Sequence, residues 1–244
     1  MIAAAFAVVV AAGSARPAAA DPSFDPRVYG LHFVNQFTGQ ILVDIPRIGH
    51  VDLAKYPFGL CGGMSFAALD TFLAGGRAPS DLTAPTPGMR LRTYLRARLL
   101  DSLLPDGART VRRFVAWMAR PIDDKNLLLG KIVGLKTLTR REFETKVHPA
   151  LEAGRPVPLG LVKVDLSSPP WNNHTVLAIG DFQDADGRWV VDIYDPNYPD
   201  RVTYLHVERR IESFDRAGER EVSGRRWRGF FAIPYTYEKP YWVP

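Results

Sequence analysis

Residues 56–73 of the chain read YPFGLCGGMSFAALDTFL and contain its only cysteine, Cys61. A loop rich in proline and glycine leads here into an apolar, alanine-rich segment, which is typical of a buried helix. Gly75 and Gly76 follow, and glycine is the residue type that most often ends a helix with a positive φ. We therefore predict a central helix with Cys61 at or just before its first residue. The helix dipole and the unpaired N–H groups there favour a thiolate, which makes Cys61 a candidate nucleophile.

The composition is that of a globular protein with one large domain or two small lobes. The chain has 244 residues, of which 46% are hydrophobic and 23% charged, and its formal net charge is +5. The arginines that supply most of the excess are spread along predicted helices and strands, which is typical of solvated faces. No nucleic-acid-binding motif accompanies them, so we expect no nucleic-acid partner. We also find no metal cluster, phosphate loop or cofactor motif, and we expect neither a cofactor nor a metal.

The first twenty residues are predicted to be a signal peptide. The apolar run Ile2–Ala12 is followed by Ala18-Ala19-Ala20, which is similar to a small-residue cleavage site. The run is too short to span a membrane, so we expect a secreted or periplasmic protein without a membrane span in the mature chain. A disordered alanine-rich tail is the alternative. In an oxidising compartment a single cysteine has no internal disulfide partner, so it is buried and inert, paired between chains, or a working thiol.

Helical patterns fill the middle of the chain. Met89–Leu104 and Ala108–Ala119 carry apolar residues at three- and four-residue spacing, with Asp106-Gly107 between them. Thr139 and Glu142 fit a capping box that would open a further helix, which Pro149 would bend and Gly154 would end.

Extended patterns precede and follow these helices. Val28–Val43 mixes aromatic and β-branched residues around a Thr-Gly turn and is predicted as a hairpin. From Arg155 onward we predict strands at Pro156–Val164, His174–Phe182, Trp189–Tyr194, Arg201–Val207 and Gly229–Tyr235, with a basic loop over Arg209–Arg228. Helices first and an antiparallel sheet afterwards indicate an α+β fold. The domain would span residues 21–244, with a helical lobe at about 60–153 and a sheet lobe at about 155–235.

A cysteine nucleophile needs a base within hydrogen-bonding reach and a group that orients the base. His174 opens a buried strand directly after a loop, which is the best position for a base among the five histidines; His50 is the second choice. The strands that begin at His174 and end at Tyr194 are joined by a short turn, so they are expected to pair as an antiparallel hairpin. Asp195 then lies beside His174. Asn197 is the second candidate for the orienting group, and Asp192 is weaker because it lies farther into the strand.

Three segments together resemble the papain-like cysteine peptidase superfamily, and within it the C39-like bacterial peptidases. They are Gly59-Leu60-Cys61-Gly62-Gly63-Met64, Asn173-His174-Thr175-Val176-Leu177-Ala178-Ile179-Gly180 and Ile193-Tyr194-Asp195-Pro196-Asn197. The resemblance covers about Phe58–Phe72 and Arg155–Pro199. It implies a papain-like fold in which a central helix carrying the cysteine packs against an antiparallel sheet. It also implies a catalytic triad of Cys61, His174 and Asp195.

The sequence departs from that family ahead of the cysteine. Family members often place a glutamine there to donate to the oxyanion, whereas residues 52–60 contain no Gln or Asn. Asn35, Gln36 or Gln40 from the preceding segment, or the Cys61 backbone N–H with another donor, are the alternatives. One such donor is worth ~10²–10³ in turnover in a comparable enzyme.

The function predicted from these residues is an exported thiol hydrolase that cleaves a peptide or amide bond through an acyl-enzyme. An acyl transferase or amidase of transglutaminase-like type would use the same triad. A binding domain that keeps the fold without catalysis is the third alternative, because a lone cysteine is usually a small buried hydrophobe. Trp171, Tyr198 and the loop Ser167–Trp171 are expected to wall the cleft.

Overall fold

A computed structural model of the protein describes residues 23–37, 42–45, 49–52, 59–128, 130–207, 211–214 and 226–244. The predicted signal peptide, residues 1–20, lies outside these ranges. Within them, no helix combines the length and the apolar character needed to cross a membrane.

The helices of the described ranges lie mainly before the large sheet. They are α1 (Pro26–Tyr29), α2 (Cys61–Leu73), α3 (Arg90–Leu103), α4 (Pro105–Met118), α5 (Leu135–Glu142) and α6 (His148–Glu152). A π-helical turn, Phe143–Val147, joins α5 to α6, and a 3-10 turn, Pro170–Asn172, precedes the strand that carries His174.

The strands form one large sheet and two small hairpins. The hairpins pair β1 (Leu42–Ile45) with β2 (Gly49–Asp52) and β3 (Lys125–Leu127) with β4 (Gly130–Ile132). The large sheet contains β5 (Val157–Val162), β6 (His174–Gln183), β7 (Trp189–Tyr194), β8 (Val202–His206), β9 (Ile211–Phe214), β10 (Arg226–Trp227) and β11 (Gly229–Ala232). Its strand order is β10-β9-β8-β7-β6-β5-β11, and every neighbouring pair is antiparallel. The α+β class predicted from the sequence is therefore confirmed.

The helix α2 is the centre of the fold, since its residues 62–71 are all buried. A helix that is apolar all round can be stable only when neighbours cover every face. Met64 packs in a cluster with α3, Phe66 in a cluster with α4 and α5, and Leu69 in a cluster with the sheet. The helix ends as predicted, because Gly75 follows it with a φ of 63°.

Two glycines let α2 and α3 approach closely at the end that carries Cys61. A Cβ atom on Gly63 would lie 1.9 Å from the backbone oxygen of Leu95, and one on Gly62 would lie 2.2 Å from Oγ of Ser102. Both distances are far below van der Waals contact, so only glycine fits at this crossing.

The strand β6 lies inside the sheet and is buried at the end where His174 stands. Successive side chains of a strand face opposite sides, and β6 follows this rule. Val176 and Ala178 pack in the cluster on one face, whereas Leu177 packs on the other face in the cluster that includes Ala68 and Leu69 of α2. Nearer the start of both elements, the hydroxyl of Ser65 on α2 donates to the backbone oxygen of Thr175 on β6 at 3.3 Å.

Residues 28–37 do not form the first strand of the hairpin predicted over Val28–Val43, and the Thr-Gly turn of that prediction lies outside the described residues. Asp25 caps α1 through its side chain, with Pro26 at the first helical position, and residues 31–37 have no regular structure. The aspartate–proline start is a capping signal that outweighs the β-branched composition. A hairpin does exist nearby, but it consists of β1 and β2.

The capping box predicted at Thr139 is also wrong. The helix α5 begins four residues earlier at Leu135, whose N–H donates to the oxygen of Pro121. Thr139 lies inside the helix, and its Oγ1 accepts a hydrogen bond from the N–H of Phe230 at 3.2 Å. The loop before α5 therefore does the capping, and the threonine binds the helix to the sheet.

The basic loop predicted over Arg209–Arg228 contains the strands β9 and β10. The strands β10 and β11 stand at opposite ends of the strand order, yet only Arg228 separates them in the chain. A second difference concerns α4, which begins at Pro105, so that Asp106-Gly107 forms part of its first turn.

Candidate active site

Cys61 is the first residue of α2, and its side chain is half-buried. The N-cap residue, Leu60, offers no side-chain hydrogen bond, and the first turn contains no acidic residue. No side chain of the helix therefore neutralises the positive end of its dipole. The structure places the thiol where the sequence predicts it, at a site that favours the thiolate.

His174 is the first residue of β6, at the end of the hairpin that β6 makes with β7. The last pair of this ladder joins Leu177 to Tyr194, and the chain then leaves the strand through a turn in which the N–H of Tyr198 donates to the oxygen of Asp195. Asp195 is the first residue after β7, so it stays at the end of the hairpin where β6 begins. The hairpin geometry inferred from the sequence is what brings these residues together.

Asp195 binds the imidazole ring directly. Nε2 of His174 and Oδ1 of Asp195 lie 2.7 Å apart, and both side chains are buried. The same oxygen accepts a hydrogen bond from the backbone N–H of Asn197 at 2.9 Å, and the N–H of Tyr198 donates to the Asp195 backbone oxygen. These bonds form the local turn that aspartate favours. They hold the carboxylate in place independently of its bond to the histidine ring.

Cys61 and His174 are joined by a side-chain hydrogen bond. Because Asp195 occupies Nε2, Nδ1 is the ring nitrogen left for the thiol. Burial opposes the thiolate, but the charge and hydrogen bond of His174, with hydrogen bonds from the backbone of Thr175 and Gly62, hold the pKa of Cys61 below its ordinary value.

Burial also opposes the imidazolium. The charges of Asp195 and Cys61 and their hydrogen bonds outweigh this effect and raise the pKa of His174 to about 10. The lowered pKa of Cys61 and the raised pKa of His174 both favour the charged forms, since each charge stabilises the other. The arrangement favours a thiolate–imidazolium pair, which is a nucleophile next to a proton donor.

Two asparagines extend the site beyond the predicted triad. Nδ2 of Asn197 lies 3.1 Å from Nε2 of His174, and Oδ1 of Asn197 lies 3.2 Å from Nδ2 of Asn35. Asn35 is 9% exposed and presses against Gly59, where a Cβ atom would lie 1.8 Å from its Nδ2. Of the three amides predicted as alternative oxyanion donors, Asn35 is therefore the one shown next to the Cys61 loop.

The other two amides are not brought to the site in the described ranges. Gln36 has an exposed side chain. Gln40 lies outside the residues described, as does most of the loop before Cys61.

Trp227 is a site residue that the sequence did not reveal. Its ring stacks on the ring of His174, with centroids 5.7 Å apart and planes 16° from parallel, and it is 4% exposed. It covers one face of the imidazole and keeps water from it. Trp227 belongs to the segment predicted as a loop, and no local pattern connects it with His174.

The remaining histidines have other positions. His32 binds Asp200, with 2.5 Å between Nδ1 and Oδ1, and His148 binds Asp181, with 2.7 Å between Nδ1 and Oδ2. His206 lies on β8. His50, the second choice for the base, lies on β2 rather than in a loop, and its side chain is outside the described part of the structure.

The two aromatic residues predicted to wall the cleft have packing partners of their own. Trp171 packs against the cluster between α2 and α3. Tyr198 lies beneath the guanidinium of Arg201, 5.5 Å from ring centroid to carbon. In the ranges that the structure describes, no group of three or more His, Cys, Asp or Glu side chains is placed to hold a metal ion.

No family model, curated protein or solved structure matches the chain.

Proposed function

We propose that the protein is an exported, papain-like thiol hydrolase that cleaves a peptide or amide bond with Cys61, His174 and Asp195. One observation carries this proposal: the three side chains form a continuous, largely buried hydrogen-bonded chain in the order thiol, imidazole, carboxylate. The elements support it as well. The nucleophile stands at the N-terminus of the central helix, and the base and its orienting group stand at adjoining ends of two paired strands.

The reaction begins with the Cys61 thiolate, which attacks the carbonyl carbon of the substrate and forms a carbon–sulfur bond. When the carbon–nitrogen bond of the resulting intermediate breaks, the imidazolium of His174 gives its Nδ1 proton to the departing amine. The products of this half are a free amine and a thioester on Cys61.

Hydrolysis of the thioester completes the cycle. Neutral His174 takes a proton from water, the oxygen attacks the thioester carbon, and the carbon–sulfur bond breaks. The acid product leaves, and the thiolate–imidazolium pair is restored. Asp195 holds the Nε2–H of the ring throughout, so that Nδ1 always faces the sulfur.

The pH dependence of thiol alkylation tests the proposal without a known substrate. Iodoacetamide should label Cys61 rapidly well below the ordinary thiol pKa of about 8.5. In His174→Ala the labelling should follow an ordinary thiol titration. The matched control is His148→Ala, since His148 is also paired with an aspartate but lies elsewhere. An ordinary profile in the wild type, unchanged in His174→Ala, would overturn the enzymatic reading and favour a binding domain.

The fate of the acyl group separates hydrolysis from transfer. A library of peptide amides is incubated with the protein, and intact-mass spectrometry detects a thioester adduct that must be absent in Cys61→Ala. With a primary amine added, release of the free acid supports the hydrolase. Acyl transfer to the amine as the main product would contradict it and indicate a transferase.

A further inference from the structure

A short segment of the N-terminal region, residues 31–35, runs along Tyr194 and the turn of residues 195–198 that carries Asp195. The N–H of Leu31 donates to the hydroxyl of Tyr194 at 3.1 Å, and the N–H of Asn35 donates to the oxygen of Pro196 at 3.0 Å. The side chain of Asn35 adds the contact with Asn197. Residues 31–37 have no regular structure, and the N–H groups of Leu31 and Asn35 thus bind Tyr194 and Pro196 rather than a partner strand.

The contacts of His174 Nε2 impose a direction on the hydrogen bonds around it. A carboxylate only accepts, so Nε2 must carry a hydrogen to bind Oδ1 of Asp195 at 2.7 Å. The Nδ2 group of Asn197 only donates, yet it faces the same Nε2 at 3.1 Å. Two N–H groups then oppose each other, while the buried Oδ1 of Asn35 has no hydrogen-bond partner among the residues that the structure describes.

A rotation of the side-chain amides of Asn35 and Asn197 by 180° exchanges their N and O atoms, so that two N–H groups no longer face each other. The rotation needs no extra space because the amide N and O are similar in size. Oδ1 of Asn197 then accepts from Nε2–H of His174, and Nδ2 of Asn197 donates to Oδ1 of Asn35. The distances of 3.1 and 3.2 Å suit both new bonds. The position nearest Gly59, now held by Nδ2 of Asn35, is then occupied by its Oδ1, and Nδ2 moves to the place that Oδ1 held.

We propose that Asn35 and Asn197 form an amide relay in this turned orientation, and that Asn35 is a positioning residue for the imidazole of His174. The proposal rests on the proposed function, because the relay matters only if His174 serves Cys61. Asn35 holds Asn197 in the orientation that accepts from the ring. The imidazolium thus shares one N–H between two oxygens, and the ring cannot rotate away from the thiol.

The relay adds to the electrostatics of the site without adding a charge. The titratable groups that act on His174 are Cys61 on α2 and Asp195 after β7. An amide oxygen at the ring N–H stabilises the imidazolium, and therefore also the thiolate paired with it. The acid limb of the Cys61 alkylation profile is the pH range in which labelling slows because the thiolate becomes protonated. Loss of this oxygen should move the acid limb to higher pH.

Two substitutions at Asn35 test the relay, with the adjacent Val34→Ala as the matched control because that side chain is exposed. Asn35→Leu keeps the volume but removes both hydrogen-bonding groups, and it should move the acid limb up by about one pH unit, which is about tenfold slower labelling below the limb. Asn35→Asp keeps an acceptor for Nδ2 of Asn197, so its limb should stay at or below the wild-type position. Val34→Ala should match the wild type.

The outcomes separate the two proposals. An ordinary thiol profile in the wild type overturns the proposed function and the relay with it. A low wild-type limb that Asn35→Leu leaves in place, with only a lower melting temperature, overturns the relay alone and makes Asn35 a structural residue. A limb that Asn35→Asp raises as far as Asn35→Leu does overturns the direction of the relay.

The unmutated protein provides a second test that holds if both Asn35 variants fail to fold. In 15N-labelled protein, Nε2 of His174 should carry a proton at neutral pH. In the relay this proton faces an oxygen of Asn197. An unprotonated Nε2, or a strong Overhauser contact between its proton and the Asn197 side-chain NH2, would overturn the proposal.

Discussion

Oδ1 of Asp195 lies 2.7 Å from Nε2 of His174, and the two side chains are 2% and 8% exposed. A charged pair removed from water to this degree is weak evidence for stability, since the desolvation of both groups offsets much of their attraction. The same burial strengthens the hydrogen bond and fixes the ring. In the proposed function, the pair serves to orient the His174 ring toward Cys61.

The first prediction concerns Asp195→Asn. The new amide keeps the size of the carboxylate but presents an N–H group or a neutral oxygen to Nε2, so it stabilises the imidazolium poorly and permits the wrong tautomer. We expect alkylation of Cys61 near neutral pH, and turnover of any substrate found, to fall by about 10²–10⁴-fold. Asp181→Asn is the control, because Asp181 is paired with His148 instead. Equal effects of the two substitutions would contradict a special role for Asp195.

A second prediction follows from the raised pKa of His174, which is about 10 in the folded protein against an ordinary 6.5. The folded state holds this proton more tightly than the unfolded chain, so the stabilisation is complete below about pH 6.5 and is lost as the pH rises through about 10. Because the Cys61 thiol titrates together with the ring, the comparison is made in Cys61→Ala: urea denaturation should show that this variant loses its advantage over Cys61→Ala/His174→Gln as the pH rises above about 6.5. An advantage that grows with pH would contradict the assigned ion pair.

Trp227 is the subject of a third prediction. Trp227→Phe keeps an aromatic face on His174, whereas Trp227→Leu lets water compete for the bond between His174 and Asp195. We expect Trp227→Leu to shift the acid limb of Cys61 alkylation to higher pH and Trp227→Phe to stay near the wild type. Trp189→Leu is the matched control, because Trp189 lies against another aspartate-bound histidine, His148, at 4.4 Å between ring centroids. If the acid limb of Cys61 alkylation is unchanged in Trp227→Leu, Trp227 contributes only to core packing.

What the sequence predicts here depends on how locally each contact is encoded. His174 and Asp195 could be placed together because a short turn fixes the register of β6 and β7, and Cys61 could be placed at a helix start from its glycines and its apolar run. Asn35 and Trp227 reach the same ring from distant parts of the chain, and no spacing rule connects them with it. Thr139 shows the opposite error. Its local sequence matches a capping box, but carbonyl groups of the loop before α5 accept from the first N–H groups of the helix, so the helix begins earlier.

The support of the Cys61 helix gives the fourth prediction. Asp70 on α2 is fully buried and binds Arg98 on α3, with 2.7 Å between Oδ2 and Nε. The carboxylate also accepts from the hydroxyls of Tyr94 and Tyr235 and from the N–H of Glu238, so one side chain joins α2, α3 and the C-terminal segment. Burial and the Asp70 charge raise the pKa of both tyrosines, so they remain protonated donors.

Removing Arg98 leaves the buried Asp70 carboxylate without its cation, and removing Asp70 leaves Arg98 with the half-exposed carboxylates of Asp101 and Glu238. We expect Asp70→Leu or Arg98→Met alone to lower the free energy of unfolding by about 3–5 kcal/mol, and the double variant to lose much less than the sum of the two. Urea denaturation of the four proteins of the cycle measures the coupling. Arg113→Met is a control for arginine truncation, since Arg113 pairs with Glu142 and is 25% exposed. Additive losses in the cycle would mean that Asp70 and Arg98 stabilise α2 independently.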